Sequence, residues 1–413
     1  AILAQAPTWG TPVRAPPPAM AVVGSWAIWS TRALGLFAVL LADAVTGRGH
    51  LAAAAAGAET AVVAYLPEWR YEGANWDTIC EHCTHLLLFS LEPDPSGRIV
   101  AYDRLPRKEL MQLAQAAAKR HGTRLMLCFG GNGRSNGFSP MVRAKKRRKL
   151  FLKELGRLMA ELDLDGVDYN WEYPGYRFGR GYLPEEEIEA DYKGLSRLIR
   201  ETKEFFAAQG SPKVVTMAYY PDGRQEQLVK QYKVDRYADL LHMMSYDQHG
   251  AQHSSTEFGR QCVDQGRAVL PPEKLTLGLP FYGRHSQTGD WTTYEDLVQR
   301  HDPLAPKVDS VPAPAPDRAT IGFNGVKTIE EKTRYALDRD IGGVMIWEVG
   351  QDCRLVPVVH GETTHVRTCP SDNSSLLLAI SRAATAAGRL RLRTEGWREA
   401  NREAGAATHG GEL

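Results

Sequence analysis

The sequence predicts a (β/α)8 barrel, and two observations carry that expectation. Eight short apolar runs recur along the chain, at Ala61–Leu66, His85–Ser90, Arg124–Cys128, Gly166–Glu172, Val214–Tyr219, Leu240–Tyr246, Leu275–Pro280 and Gly343–Trp347. Each is rich in Val, Ile, Leu or Met and has the length of a strand rather than a helix. Between them stand helical patterns, clearest in Lys108–Arg120, Lys146–Leu162, Ala190–Ala207, Thr256–Val269 and Thr328–Asp338. Strands alternating with helices over so long a stretch point to a closed parallel sheet, with functional groups at the carboxyl ends of its strands.

In chain order, residues 1–58 stand outside that pattern and read as a leader. Met20 begins a secretory signal in which Arg32 precedes the apolar run Ala33–Ala42, with small residues at Leu51–Ala58. The apolar run is too short for a bilayer, which takes about 20 residues. No membrane partner is therefore expected, and the protein is expected to be secreted. The repeating unit occupies 59–371. A composition of 43% hydrophobic and 24% charged residues suits a globular domain, and the net charge of +1 supplies no field for nucleic acid. The basic run Arg143–Lys149 opens a helical pattern with Leu150, Leu152 and Leu155, so it reads as a solvated helix face.

The fourth strand carries the chemistry. In Asp165-Gly166-Val167-Asp168-Tyr169-Asn170-Trp171-Glu172-Tyr173-Pro174, the period of two sends Asp168, Asn170 and Glu172 to one face. Val167, Tyr169 and Trp171 take the other. A solvated sheet edge would show the same alternation. Against that, the aromatic face needs burial, and Leu162 and Leu164 run straight into the strand. With both faces covered, the polar row must bond to something, because burying unpaired polar groups is costly.

This run resembles the Asp-x-x-Asp-x-Asp-x-Glu signature of family 18 glycoside hydrolases, the chitinase family. Asp165, Asp168 and Glu172 match it, and Asn170 stands where the family usually has its middle Asp. Other strand ends carry further matches. Cys128-Phe129-Gly130-Gly131 resembles the Ser-x-Gly-Gly element of strand three, and Met244-Ser245-Tyr246-Asp247 the Met-x-Tyr-Asp of strand six. Gly278–Arg284 resembles the turn after strand seven, whose Tyr282 and Arg284 face the cleft. Trp347 stands in the place of the strand-eight floor under the scissile sugar. The resemblance implies that Glu172, Asp168, Asn170 and Tyr246 are catalytic. It implies substrate contacts for Asp247, Trp347, Tyr65, Gly130, Gly131, Tyr173, Met244, Tyr282 and Arg284, with Trp69 as a weaker candidate. No cofactor or metal is implied. Cys80-Glu-His-Cys83 has metal spacing but lacks a second pair, and Cys128 reads as a buried thiol.

Spacing along the strand agrees with one family property. Glycosidases with two carboxylates hold them about 5 to 9.5 Å apart. Asp168 and Glu172 are four residues apart along the chain, which is about 13 Å at about 3.3 Å per residue. With Asn at 170, no carboxylate lies between them to act as nucleophile. The family uses the substrate's own 2-acetamido oxygen instead, which implies N-acetylglucosamine chains such as chitin as the partner. An oligosaccharide-binding relative with weak catalysis and an endo-β-N-acetylglucosaminidase remain alternatives. An amide beside Glu172 favours its ionised form, so a lowered pKa and an acid optimum are expected.

The segment from Pro280 to Gly343 must also supply a helix, and Asp302–Asp317 is rich in proline. An extended surface loop is expected there, with no full insertion domain, and hence an open cleft and internal cutting. Cys353 and Cys369 flank a loop after strand eight and form the expected disulfide. Asn373-Ser374-Ser375 is a glycosylation sequon. Residues 372–413 read as a low-complexity, disordered tail, although a helix fits Leu376–Leu392. A monomer is expected.

Overall fold

A computed structural model describes residues 60–301, 304–314, 316, 318–360, 362–369 and 372–388. The leader and the end of the tail lie outside them. The described residues fall in one compact unit, Phe178–Gly181 excepted.

All eight expected strands form. They are β1 Ala61–Pro67, β2 His85–Pro93, β3 Arg124–Gly130, β4 Gly166–Asn170, β5 Val214–Tyr219, β6 Leu240–Met243, β7 Leu275–Pro280 and β8 Gly343–Trp347. Each pairs in parallel with the next, and β1 pairs with both β2 and β8, so the sheet closes into a barrel. The period of two divides the strands' side chains between two cores. From β1, Val62, Ala64 and Leu66 pack outward against the helices, while Ala61, Val63 and Tyr65 fill the barrel. β4 behaves the same way. Val167, Tyr169 and Trp171 join the outer core, and Asp168 and Asn170 are buried on the inner face.

The main helix after each strand is α1 Trp76–His82, α2 Lys108–His121, α3 Lys145–Glu161, α4 Glu185–Ala208, α5 Arg224–Gln231, α6 Thr256–Val269, α7 Val326–Asp338 and α8 Leu376–Ala386, with shorter helices at Phe138–Arg143, Val234–Tyr237 and Tyr294–Arg300. The basic run leading into α3 is mostly a solvated face, with Arg148 as the buried exception and the exposed Arg143 held in an ion pair. Arg148 is buried against Glu201 at 2.8 Å, and Arg143 reaches Asp191 at 2.7 Å.

Two expectations about chain organisation are corrected. The boundary at 371 falls too early, because α8 is the eighth helix of the barrel. Leu376, Leu377 and Ile380 are buried in the outer core, and small Ala379 and Ala384 let the helix pack closely. Asp352 fixes its start, accepting from the backbone N–H groups of Leu376 and Leu377 at 2.9 Å. Nor is the proline-rich stretch wholly an extended loop. Ser310–Pro312 pairs with Thr320–Gly322, which pairs with Tyr282–His285, and that strand pairs with Trp291–Thr293. This antiparallel sheet stands beside the mouth of the barrel and carries Trp291 to the cleft. The Cys353–Cys369 disulfide forms as expected, while Cys80, Cys83, Cys128 and Cys262 are buried thiols.

Candidate active site

The strand-four motif splits into structural and chemical members. Asp165 accepts the Leu125 backbone N–H at 2.9 Å and so ties the base of β4 to β3. On the outer face, the Tyr169 hydroxyl bonds Thr202 at 2.8 Å, and Trp171 stacks on Phe138 at 5.2 Å. With its base and outer face anchored, β4 presents its other row to the barrel interior. Asp168 lies beneath the cleft and accepts from the hydroxyls of Tyr65 at 2.8 Å and Thr216 at 2.6 Å. Burial raises its pKa against the pull of these donors.

Asn170 and Glu172 reach the cleft itself, a cavity of about 250 Å³. The Asn170 amide donates to Glu172, and so does the backbone N–H of Asn132. Asn170 Oδ1 is buried and has no partner among the described residues. The Glu172 pKa is pushed up to about 8, first by burial and then by the negative charge of Asp247, with the amide donors opposing. The expectation of a lowered pKa is thereby overturned. The amide does act in the expected direction, but loss of solvent is the larger effect.

Asp247 differs in kind. Burial would raise its pKa, yet the neighbouring His253 imidazole, 3.7 Å away, and the Arg284 charge hold it below the ordinary value. Arg284 lies 2.7 Å away, and the Tyr282 hydroxyl donates to the same oxygen at 2.7 Å. The cleft therefore holds one carboxyl that stays protonated near neutrality and one that stays ionised. Environments that push two carboxyls apart in this way are what acid–base chemistry requires.

Aromatic rings complete the surface. Half-buried Trp347 packs on Phe89 at 4.7 Å and on Tyr65 at 5.5 Å, and Phe89 meets Trp69 at 6.2 Å. On the other side, Trp291 stacks on Tyr282 at 4.4 Å. Trp69 is 54% and Trp291 49% exposed, so each leaves ring surface open to a ligand. Tyr246 is buried against Met345, its hydroxyl 3.9 Å from the sulfur.

Of the residues read from sequence, Tyr65, Asn170, Glu172, Tyr173, Met244, Tyr246, Asp247 and Trp347 line the cleft, as does Trp69. Tyr282 and Arg284 stand behind Asp247 and hold it. Gly130 and Gly131 do not line the cleft. Their φ angles are +100° and +103°, and a Cβ would lie 2.3 Å from the Asn170 carbonyl oxygen and 2.3 Å from the Phe89 ring, respectively. They are glycines because the backbone turns there against its neighbours, which aims Asn132 at Glu172. Sequence reading missed Phe89, Asn132, Arg134, Tyr220, Trp291 and Met345. Asn132 directly follows the Gly-Gly pair and Arg134 comes two residues later, so that motif was the available signal; Trp291 sits in a segment with no periodicity.

The sequence profile of Glycosyl hydrolases family 18 matches residues 61–352. The chain belongs to that family. Among family 18 relatives, Probable chitinase 2 of Drosophila melanogaster is 26% identical over 63% of this chain, which spans 64% of that protein's length. Chitotriosidase-1 of Mus musculus is 24% identical over 72% of this chain and 74% of its own. The crystal structure of Ostrinia furnacalis Group IV chitinase in complex with allosamidin superposes with a TM-score of 0.63. It is 20% identical, covering 80% of this chain and 100% of that one. At that identity the superposition speaks for the shared barrel.

Proposed function

We propose that this family 18 protein is a chitinase, cleaving β-1,4 linkages between N-acetylglucosamine units with retention of configuration. The observation that carries the reading is the Glu172 carboxyl, raised to about 8 beside an ionised Asp247 and an unpartnered Asn170 Oδ1. In the proposed course, the sugar's 2-acetamido oxygen attacks the anomeric carbon while Glu172 gives its proton to the leaving oxygen. Asn170 Oδ1 accepts the acetamido N–H, and Tyr246 and Asp247 hold the acetamido group in line. Water then opens the oxazolinium ion, returning a proton to Glu172. Trp347 supplies the floor, and the exposed Trp69 and Trp291 on either side suit a chain that runs through the cleft, hence internal cutting.

The protein is proposed to be a secreted monomer. The Cys353–Cys369 bond supports secretion, since disulfides persist in oxidising compartments. A second reading, an oligosaccharide-binding protein with weak catalysis, is favoured by Asn170, which brings no charge to the developing cation. Glycol chitin, labelled chitooligosaccharides and a high-mannose glycoprotein, assayed side by side, separate the readings. Cleavage of the first two supports a chitinase. Binding without cleavage supports the second reading, and cleavage of the glycoprotein alone overturns both.

A further inference from the structure

Beneath the loop that follows β6 lies a buried lysine that the proposed reaction does not use. Lys332 of α7 is 1% exposed. Its Nζ donates to Ser254 O at 2.6 Å, Ser254 Oγ at 2.8 Å and Asn324 Oδ1 at 2.8 Å. An ammonium has three donors, and here each finds an acceptor, none of them a carboxylate. The acceptors form one web. Asn324 Nδ2 donates to Ser254 O at 2.7 Å, and Ser254 Oγ donates to Ser245 O at 2.7 Å.

Ser245 and Ser254 are the two ends of the loop, and between them lie Tyr246, Asp247 and His253. His253 stands 3.7 Å from Asp247 Oδ1 and packs on the Tyr282 ring at 4.8 Å. The tip of the loop is exposed, and Asp247 sits at φ +65°, a left-handed conformation that a non-glycine residue adopts at a cost. Such a conformation persists only if the surroundings hold it, and the held part of this loop is its base.

We infer that Lys332 is the positioning residue of the acetamido clamp: it ties the two ends of the Ser245–Ser254 loop together under the cleft and thereby fixes Tyr246 and Asp247. The ligand named in the test rests on the proposed function; the geometry does not. Burial pushes the Lys332 amine down to about 7, against the opposite pull of Cys262 on α6, Asp309 from the inserted sheet and Glu331 on α7. As pH rises through that value the amine loses its third donor, and one of the three acceptors loses its partner. The clamp loosens from below, and oligosaccharide affinity falls.

The test uses Glu172→Gln as the background, which stops hydrolysis and removes that carboxyl's titration. Calorimetry with chitopentaose at pH 5.5 and 8.5 is compared with and without Lys332→Met, which keeps the apolar stem. Amide hydrogen exchange of the Ser245–Ser254 loop is followed in parallel without ligand. Lys332→Met is expected to weaken binding roughly tenfold at pH 5.5, to flatten the pH dependence and to speed exchange in the loop. Ser254→Ala, which removes the link to Ser245, should do the same to a smaller degree and serves if Lys332→Met fails to fold. Unchanged affinity and unchanged loop exchange, with only a lower melting temperature, would overturn the inference. If the background variant itself binds no chitooligosaccharide, the chitinase reading fails, and loop exchange still decides the role of Lys332.

Discussion

Asn170→Asp tests how this site works without the family's middle carboxylate. In the wild-type protein the Asn170 amide donates to Glu172 and opposes the rise caused by burial. Replacing the amide by a carboxyl removes the donor and adds a group that repels the ionised form of Glu172. A hydrogen bond to a charged group is worth about 1.5 to 3 kcal/mol, which is about one to two pH units. The sign follows from the role: Glu172 must be protonated to act as acid, so activity is present below its pKa and lost as pH rises through it. The alkaline limb, near pH 8 in the wild-type protein, should move upward by about one to two units in the variant. Turnover should also rise. A carboxylate accepts the acetamido N–H through a charge-assisted bond, about twice as strong as the neutral one. An extra stabilisation of about 1 kcal/mol in the transition state is roughly a fivefold gain. The assay is a pH–rate series on one labelled chitooligosaccharide for both proteins. A variant slower at every pH, or a limb that stays put, would show that the site has been rebuilt around Asn170.

The other outcomes follow from single contacts. Glu172→Gln keeps the shape and removes the proton donor, so hydrolysis should fall by about 10²- to 10⁴-fold while oligosaccharide binding persists; near-normal turnover would remove Glu172 from the acid role. Trp347→Ala removes a ring face held by Phe89 and Tyr65, and turnover and affinity should drop together, by roughly tenfold. If only stability changes, Trp347 is a packing residue. Replacing Cys353 and Cys369 together by Ser opens a loop of sequence separation 16, which should cost about 3 kcal/mol in denaturant titrations. Unchanged stability would mean that the rest of the fold already holds that loop.

The barrel was legible because its causes are local. Each strand is an apolar run whose alternate residues face two cores, and such a pattern leaves a one-dimensional trace. The pair Asp168 and Asn170 was legible for the same reason, since the period of two on β4 decides which side chains share a face, and Glu172 follows just past the strand's end. Helix α8 was legible as a helix but not as part of the barrel, because its burial depends on partners far away in sequence: Ala-rich residues look like a tail until Asp352 caps them and the outer core covers them. Gly130 and Gly131 had the right place and the wrong reason, because only the fold brings the Asn170 carbonyl and the Phe89 ring within reach of a Cβ. Trp291 entered the cleft from a segment without periodicity, carried there by an antiparallel sheet that no local pattern announced. The charge state of Glu172 was beyond sequence altogether. The amide at 170 could be read from the chain, and it pulls the pKa down as expected. How much water the barrel mouth excludes, and how near Asp247 comes, depends on the whole ring of strand ends, and burial and that charge together outweigh the amide that could be read.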